Sequence, residues 1–176
     1  MEMKKINWKG AFIIGGILAT GSALIVYFYK QIKELKESCY TISGGVIHSL
    51  GLDNVKISLF FKIVNKSDIT IKVEDMDFNI FVNKMFVSKI TKKDITTIYS
   101  KSNEIIKLNF EFNPRELLRV GIQNIQPILT DKEKLGITVK GTFTVESGIV
   151  KLKNFAFEET FTLKEMLEPN PNEVKC

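Results

Sequence analysis

From Gly10 to Tyr29 the chain reads GAFIIGGILATGSALIVYFY, without a charged residue. A run of about twenty apolar residues is what an α-helix needs to cross the hydrocarbon core of a bilayer. Lys4, Lys5 and Lys9 lie before it, and Lys30, Lys33 and Lys36 after it. Trp8, Tyr27 and Tyr29 fall where interfacial aromatics belong. The pattern predicts a basic tail over 1–9 and a single membrane anchor over 10–29. A cleavable signal peptide fits less well, because its apolar region is about 7 to 15 residues long and ends at a small-x-small site. Here the run ends in Val26-Tyr27-Phe28-Tyr29. A lipoprotein anchor also fits less well, because no cysteine closes the run and Cys39 comes ten positions later.

Orientation follows less directly, because lysines are shared evenly between the flanks and acidic residues count for little in the positive-inside rule. Keeping the three N-terminal lysines and the α-amino group in the cytoplasm places the C-terminal domain outside. Gly15, Ala19 and Ala23 recur every fourth residue, the small-xxx-small spacing that lets two membrane helices approach closely. Glycine and alanine are common in such helices, and composition alone accounts for the spacing.

The remaining residues suffice for one domain with its own core. The net charge of +5 comes almost wholly from lysine, with Arg115 and Arg119 the only arginines. Lysines alternate with apolar residues and are interrupted by Asp and Glu, as on a solvated sheet face. A nucleic-acid binder concentrates basic residues and aromatics in one patch, so nucleic acid is not an expected partner. Membrane lipid is one, through the anchor, together with a protein partner or a second copy of the chain.

Residues 30–39 begin KQIKELKES, with Lys30–Glu34 and Lys33–Glu37 at i,i+4 spacing. This predicts a solvated helical stalk. Ile32 and Leu35 are the positions available to touch the domain base or a neighbouring stalk. Cys39 and Cys176 are the only cysteines, and their spacing reveals neither a metal site nor a disulfide framework.

From Tyr40 the hydrophobic period changes to two, the signature of half-buried strands. Strands are predicted over Tyr40–Ser49, with Gly44-Gly45 marking a bulge, and over Val55–Val64, where Val55, Ile57, Leu59, Phe61 and Ile63 share a face. After the turn residues Asn65-Lys66-Ser67-Asp68 come Ile69–Val73 and then Met76, Phe78, Ile80 and Val82 on one face. Asn83-Lys84 is a two-residue hairpin turn into Met85–Ile90. Ile106, Leu108, Phe110 and Phe112 alternate next. Asn113 as cap, Pro114 at the first helical position and Glu116 three residues after the cap predict a helix ending near Pro127. Ile137–Val145 and Ile149–Leu163 close the domain at about residue 164, and 165–176 reads as a loose tail.

The fold class is therefore mainly β: an immunoglobulin-like sandwich of about seven antiparallel strands with one connecting helix, preceded by the membrane helix. The run Leu59–Ile90 resembles the first half of the late-embryogenesis-abundant group 2 domain, also called the water stress and hypersensitive response (WHy) domain. In that family an apolar strand ends in Asn-Pro-Asn, and a later strand pair carries Asn-Gly-x-x-Val. Asn65, Asn83 and Val87 match, whereas Lys66, Ser67 and Lys84 replace the Pro, the second Asn and the Gly. Ile98–Ser102 resembles the family's I-P-A-x-S segment, and Gly141 sits in a V-x-G-x-x-x-V strand. The resemblance covers roughly Leu52–Leu163. It implies a seven-stranded sandwich without catalytic residues and roles in stress protection, membrane-associated scaffolding or lipid contact. Many members carry an N-terminal membrane helix.

Signs of catalysis are lacking. His48 is the sole histidine and no G-x-S-x-G or H-E-x-x-H surrounds it. Ser43-Gly44-Gly45 lacks the strand-loop-helix setting of a phosphate loop. Asp75 and Asp77 read as a solvated pair on one polar face, and the sequon Asn65-Lys66-Ser67 reads as a turn. No cofactor or metal is expected. The expected function is a non-enzymatic, membrane-anchored module for protein or lipid contact. The alternative is a structural subunit of a larger membrane, envelope or virion assembly.

Overall fold

The computed structural model describes residues 27, 29–35, 38–51, 53–115 and 135–169. Among the described residues eight strands form two antiparallel sheets. The smaller sheet orders β1 (Cys39–Leu50), β2 (Val55–Val64) and β6 (Asn103–Phe112) as β1-β2-β6. The larger uses β3 (Ile71–Val82), β4 (Met85–Lys92), β7 (Gly136–Ser147) and β8 (Val150–Thr162) in the order β4-β3-β7-β8. A three-residue strand, β5 (Thr96–Ile98), pairs with the first residues of β3.

The period-2 rows become the facing inner surfaces. Val55, Ile57, Leu59, Phe61 and Ile63 are buried on β2, as are Met76, Phe78, Ile80 and Val82 on β3. Ile106, Leu108, Phe110 and Phe112 are buried on β6, and Ile137, Val139, Phe143 and Val145 on β7. The core is centred on aromatic edges. Phe61 meets Phe78, Phe143 and Phe157 at ring-centroid distances of 5.5, 5.7 and 5.1 Å. Each buried phenylalanine contributes roughly 1.5–3 kcal/mol of transfer free energy, so this cluster fixes how the sheets face each other. On the outer surfaces, cross-strand ion pairs such as Lys89–Asp77 and Lys140–Glu158 form the expected solvated ladder.

Several expectations need correction. The eighth strand, β5, is too short to show alternation, and it completes the β3 ladder beyond the point where β4 departs. The segments read as Ile69–Val73 and Met76–Val82 form one strand with a bulge between Glu74 and Asp77. That bulge puts Asp75 at φ 50°, so Asp75 and Asp77 are not partners on a regular polar face. The stalk is not a solvated spacer: residues 29–35 are helical, Leu35 is fully buried and Gln31 is 3% exposed. The hydroxyl of Tyr40 donates to the carbonyl of Leu35, and Ser38 Oγ donates to that of Glu34. Cys39 already belongs to β1. The tail does not loosen at 165, because Leu163–Leu167 forms a helix with a Thr162–Glu165 capping box. It packs Met166 over Gly44 and Gly45 of β1.

Among the described residues no helix is long and apolar enough to cross a membrane. The predicted anchor, including Trp8, Gly15, Ala19 and Ala23, lies outside the described residues apart from Tyr27 and Tyr29. So does the predicted helix after Arg115. At its start Asn113 Oδ1 accepts from Arg115 N, as its capping role requires.

Candidate functional site

The outer face of the smaller sheet carries the one polar constellation that brings the histidine, a buried serine and an amide together. Antiparallel register sets Ser58 on β2 opposite Asn109 on β6 and Val46 on β1. His48 is the extra residue at the register shift of β1 between Ile47 and Ser49, and its ring reaches Ser58 on the outer face. His48 Nε2 is 2.7 Å from Ser58 Oγ, which donates to Asn109 Oδ1 at 2.7 Å. The three side chains line an open cleft of about 470 Å³ with Lys56, Lys107 and Glu111 among its walls. Ser58 points away from the core yet is 1% exposed.

The direction of these bonds decides the chemistry. A nucleophilic serine must give its proton to a base. Ser58 has one proton and gives it to the amide oxygen of Asn109, which cannot accept it covalently. The contacts of Ser58 with His48 on one side and Asn109 on the other tie three strands together. Sequence reasoning found His48 only as a lone histidine. The signal for Ser58 was a small polar residue at an outward position of the otherwise bulky strand VKISLFFKIV.

The turn positions have structural tasks. Asn65 is 1% exposed. Its Nδ2 donates to the carbonyls of Ile69, Ile98 and Tyr99, and its Oδ1 accepts from Ser67 N and Ser67 Oγ. The sequon nitrogen is thus spent on the loop. Asn83 and Lys84 have φ of 48° and 70°, the two left-handed residues of a type I′ hairpin. This is how lysine stands where the family pattern has glycine. Asn83 Oδ1 also accepts from Gly136 N at 2.8 Å, joining the hairpin to the start of β7. Gly141 faces the β3 bulge, where any side chain would strike Asp77.

One further contact closes the side of the sandwich. The carboxylate of Glu159 on β8 accepts from Ile42 N at 2.7 Å and from Thr41 Oγ1 at 3.0 Å on β1. An edge strand left with free N–H groups invites pairing with another chain, and Glu159 occupies one of them. Glu158 faces the other way, toward Lys140. Among the described residues no group of three His, Cys, Asp or Glu side chains is placed to hold a metal ion.

A family model described as Late embryogenesis abundant protein matches residues 60–160, from the middle of β2 to near the end of β8. The chain belongs to that family. Asn65, Asn83 and Gly141, the positions with the tightest structural roles, all lie inside the matched segment of this late embryogenesis abundant domain. A crystal structure of a protein from Archaeoglobus fulgidus is similar at 18% identity and a TM-score of 0.47, covering 70% of this chain and 97% of that one. A solution structure from Arabidopsis thaliana is similar at 10% identity and a TM-score of 0.49, covering 70% and 78%. No curated protein matches the chain.

Proposed function

We propose that this late embryogenesis abundant protein is a non-enzymatic β-sandwich of the WHy type, tethered by one membrane helix, whose work is contact with a protein or lipid partner at the membrane surface in a protective or scaffolding role. The observation that carries the reading is the seating of the domain on the helix that continues the apolar run. Leu35 and Gln31 are buried against the sandwich only a few residues beyond Tyr29. With Leu35 in the core, the helix and the sandwich move as one piece, so a bilayer that holds the helix also fixes how the domain stands at its surface.

Two features support the finer points. The contacts among His48, Ser58 and Asn109 tie three strands together, a structural task for the one histidine. Cys39 is disulfide-bonded, and disulfides persist in oxidising compartments, which favours the domain lying outside the cytoplasm.

Alkaline extraction of membranes and protease protection of a C-terminal tag test the reading together. The protein is expected in the membrane pellet with the tag cleaved from the outer side of intact cells. Release into the aqueous phase overturns the anchor. A tag shielded until the cytoplasmic side is opened overturns the orientation.

A further inference from the structure

Among the described residues the three most exposed large hydrophobic side chains are Tyr29 at 71%, Tyr99 at 70% and Ile149 at 68%. They come from the helical segment, the β5–β6 loop and the β7–β8 turn, remote from one another in sequence. The fold puts all three at one end of the sandwich. Cys39 pairs with Val64 and Val64 with Asn103, which sets the start of β1, the end of β2 and the start of β6 at that end. The Asn65 side chain joins the following loop to the carbonyls of Ile98 and Tyr99. Ser147 Oγ donates to Thr70 O, bringing the β7–β8 turn to the same level. The turn also touches the helix itself, since a Cβ on Gly148 would lie 3.3 Å from Gln31 Nε2.

Height above the bilayer follows from helix geometry. Gln31 is two residues past Tyr29, a rise of about 3 Å. If the apolar run ends at the interface at Tyr27 and Tyr29, the Gly148–Ile149 turn beside Gln31 lies within the headgroup layer, which is roughly 5–8 Å thick on each side. Aromatic and branched apolar side chains are the types that gain by sitting at that depth.

We propose that this end of the sandwich is a lipid-contacting surface on which Ile149 and Tyr99, with Tyr29, rest in the headgroup region of the bilayer that holds the anchor. The proposal rests on the membrane-anchored reading and adds that the domain lies down on the lipid. It accounts for the three barest large apolar side chains among the described residues gathering at one end, while smaller exposures such as Phe86 and Leu50 lie elsewhere.

The test uses the full chain in vesicles, with Trp8→Phe removing the sole tryptophan. Single reporters are then introduced as Ile149→Trp, Tyr99→Trp and, at the opposite end, Phe86→Trp, which sits at the start of β4 and is 57% exposed. Tyr99→Trp exchanges one aromatic for another and so does not create the affinity it reports. Lipids brominated near the headgroup are expected to quench the reporters at 149 and 99 at least several-fold more than the one at 86. Equal, weak quenching at all three positions in protein that still floats with the vesicles overturns the proposal and leaves the anchor standing. Protein that does not float overturns the anchor, and the proposal falls with it. Reporters that respond to dilution of protein in the bilayer and not to brominated lipid identify a second copy as the occupant and equally overturn it.

Discussion

A Cβ built on Gly141 lies 2.0 Å from the carbonyl oxygen of Asp77 on the neighbouring strand. The β3 bulge between Glu74 and Asp77 presses that backbone onto β7, and Asp75 turns through φ 50° to make room for it. The obstacle is main chain, so it cannot swing aside as a side-chain tip does. Gly141→Ala is expected to destabilise the domain by about 3 kcal/mol, the upper part of the usual overpacking range. Chemical denaturation of the variant measures this. A stability equal to wild type would mean that the bulge relaxes freely and that the glycine is incidental.

Asn65 makes a different demand, because it bonds through both ends of its amide while buried. Asn65→Ala leaves several buried carbonyls and the Ser67 donors without their partner, at about 1–3 kcal/mol for an unsatisfied group. A loss of about 3 kcal/mol is expected. Asn65→Asp tests the orientation of the amide. At neutral pH it sets a carboxylate against the carbonyls of Ile69, Ile98 and Tyr99, so it should be worse than alanine and recover partly in acid. An aspartate variant as stable as wild type would contradict the donor assignment. The same burial predicts no glycan at Asn65 in folded protein, checked by intact mass after expression in a glycosylating host.

Much of this was legible beforehand, and the reason is physical. The inner rows of β2, β3, β6 and β7 repeat with period two over enough residues that only one face can be buried. Asn83-Lys84 was readable as a turn because asparagine tolerates positive φ. What escaped depends on contacts distant in sequence. Leu35 looked like a stalk residue because a helix's neighbours are not written in its own sequence. Ser58 draws its meaning from His48 and Asn109, on different strands. Glu159 sits in line with Phe157 and Phe161, a charge on an inward row, and only the proximity of β1 explains it.

The phenol of Tyr40 packs between Phe143 and Phe155, with ring centroids 5.0 and 5.2 Å away. Burial pushes its pKa well above the ordinary phenol value, offset in part by a hydrogen bond with Ser38. The folded state therefore holds the proton more tightly than the unfolded chain. This contribution is fully present below the unfolded value of about 10 and is lost as pH rises past it toward the folded value. Lys151 is shifted up as well, first by its hydrogen bond to Glu74, and its effect has the same sign. Comparison with Tyr40→Phe isolates the tyrosine. The wild type should lose stability above about pH 10 more steeply than the variant, as read from denaturation midpoints across alkaline pH. Parallel curves would show that Tyr40 ionises without opening the core.

Cys39 opens β1 at the end nearest the helical segment, and it is disulfide-bonded. The only other cysteine in the sequence is Cys176. Pro169, the last described residue, lies against Gly44, with its Cγ 3.3 Å from a Cβ built there. From Gly44 back to Cys39 is five strand residues, about 17 Å at 3.3 Å each. The seven residues from 170 to 176 reach up to about 23–25 Å when extended. A bond within one chain is thus within reach, and it closes a loop of roughly 140 residues, for which chain-entropy arguments give up to about 5 kcal/mol of stabilisation. Non-reducing electrophoresis and peptide mass mapping should find a monomer with a Cys39–Cys176 link. Cys39→Ser and Cys176→Ser should each lower stability by a similar amount, and the double variant by no more than either alone. A disulfide-linked dimer, or additive losses in the double variant, would assign the bond to two chains and favour the assembly reading over the free-standing module.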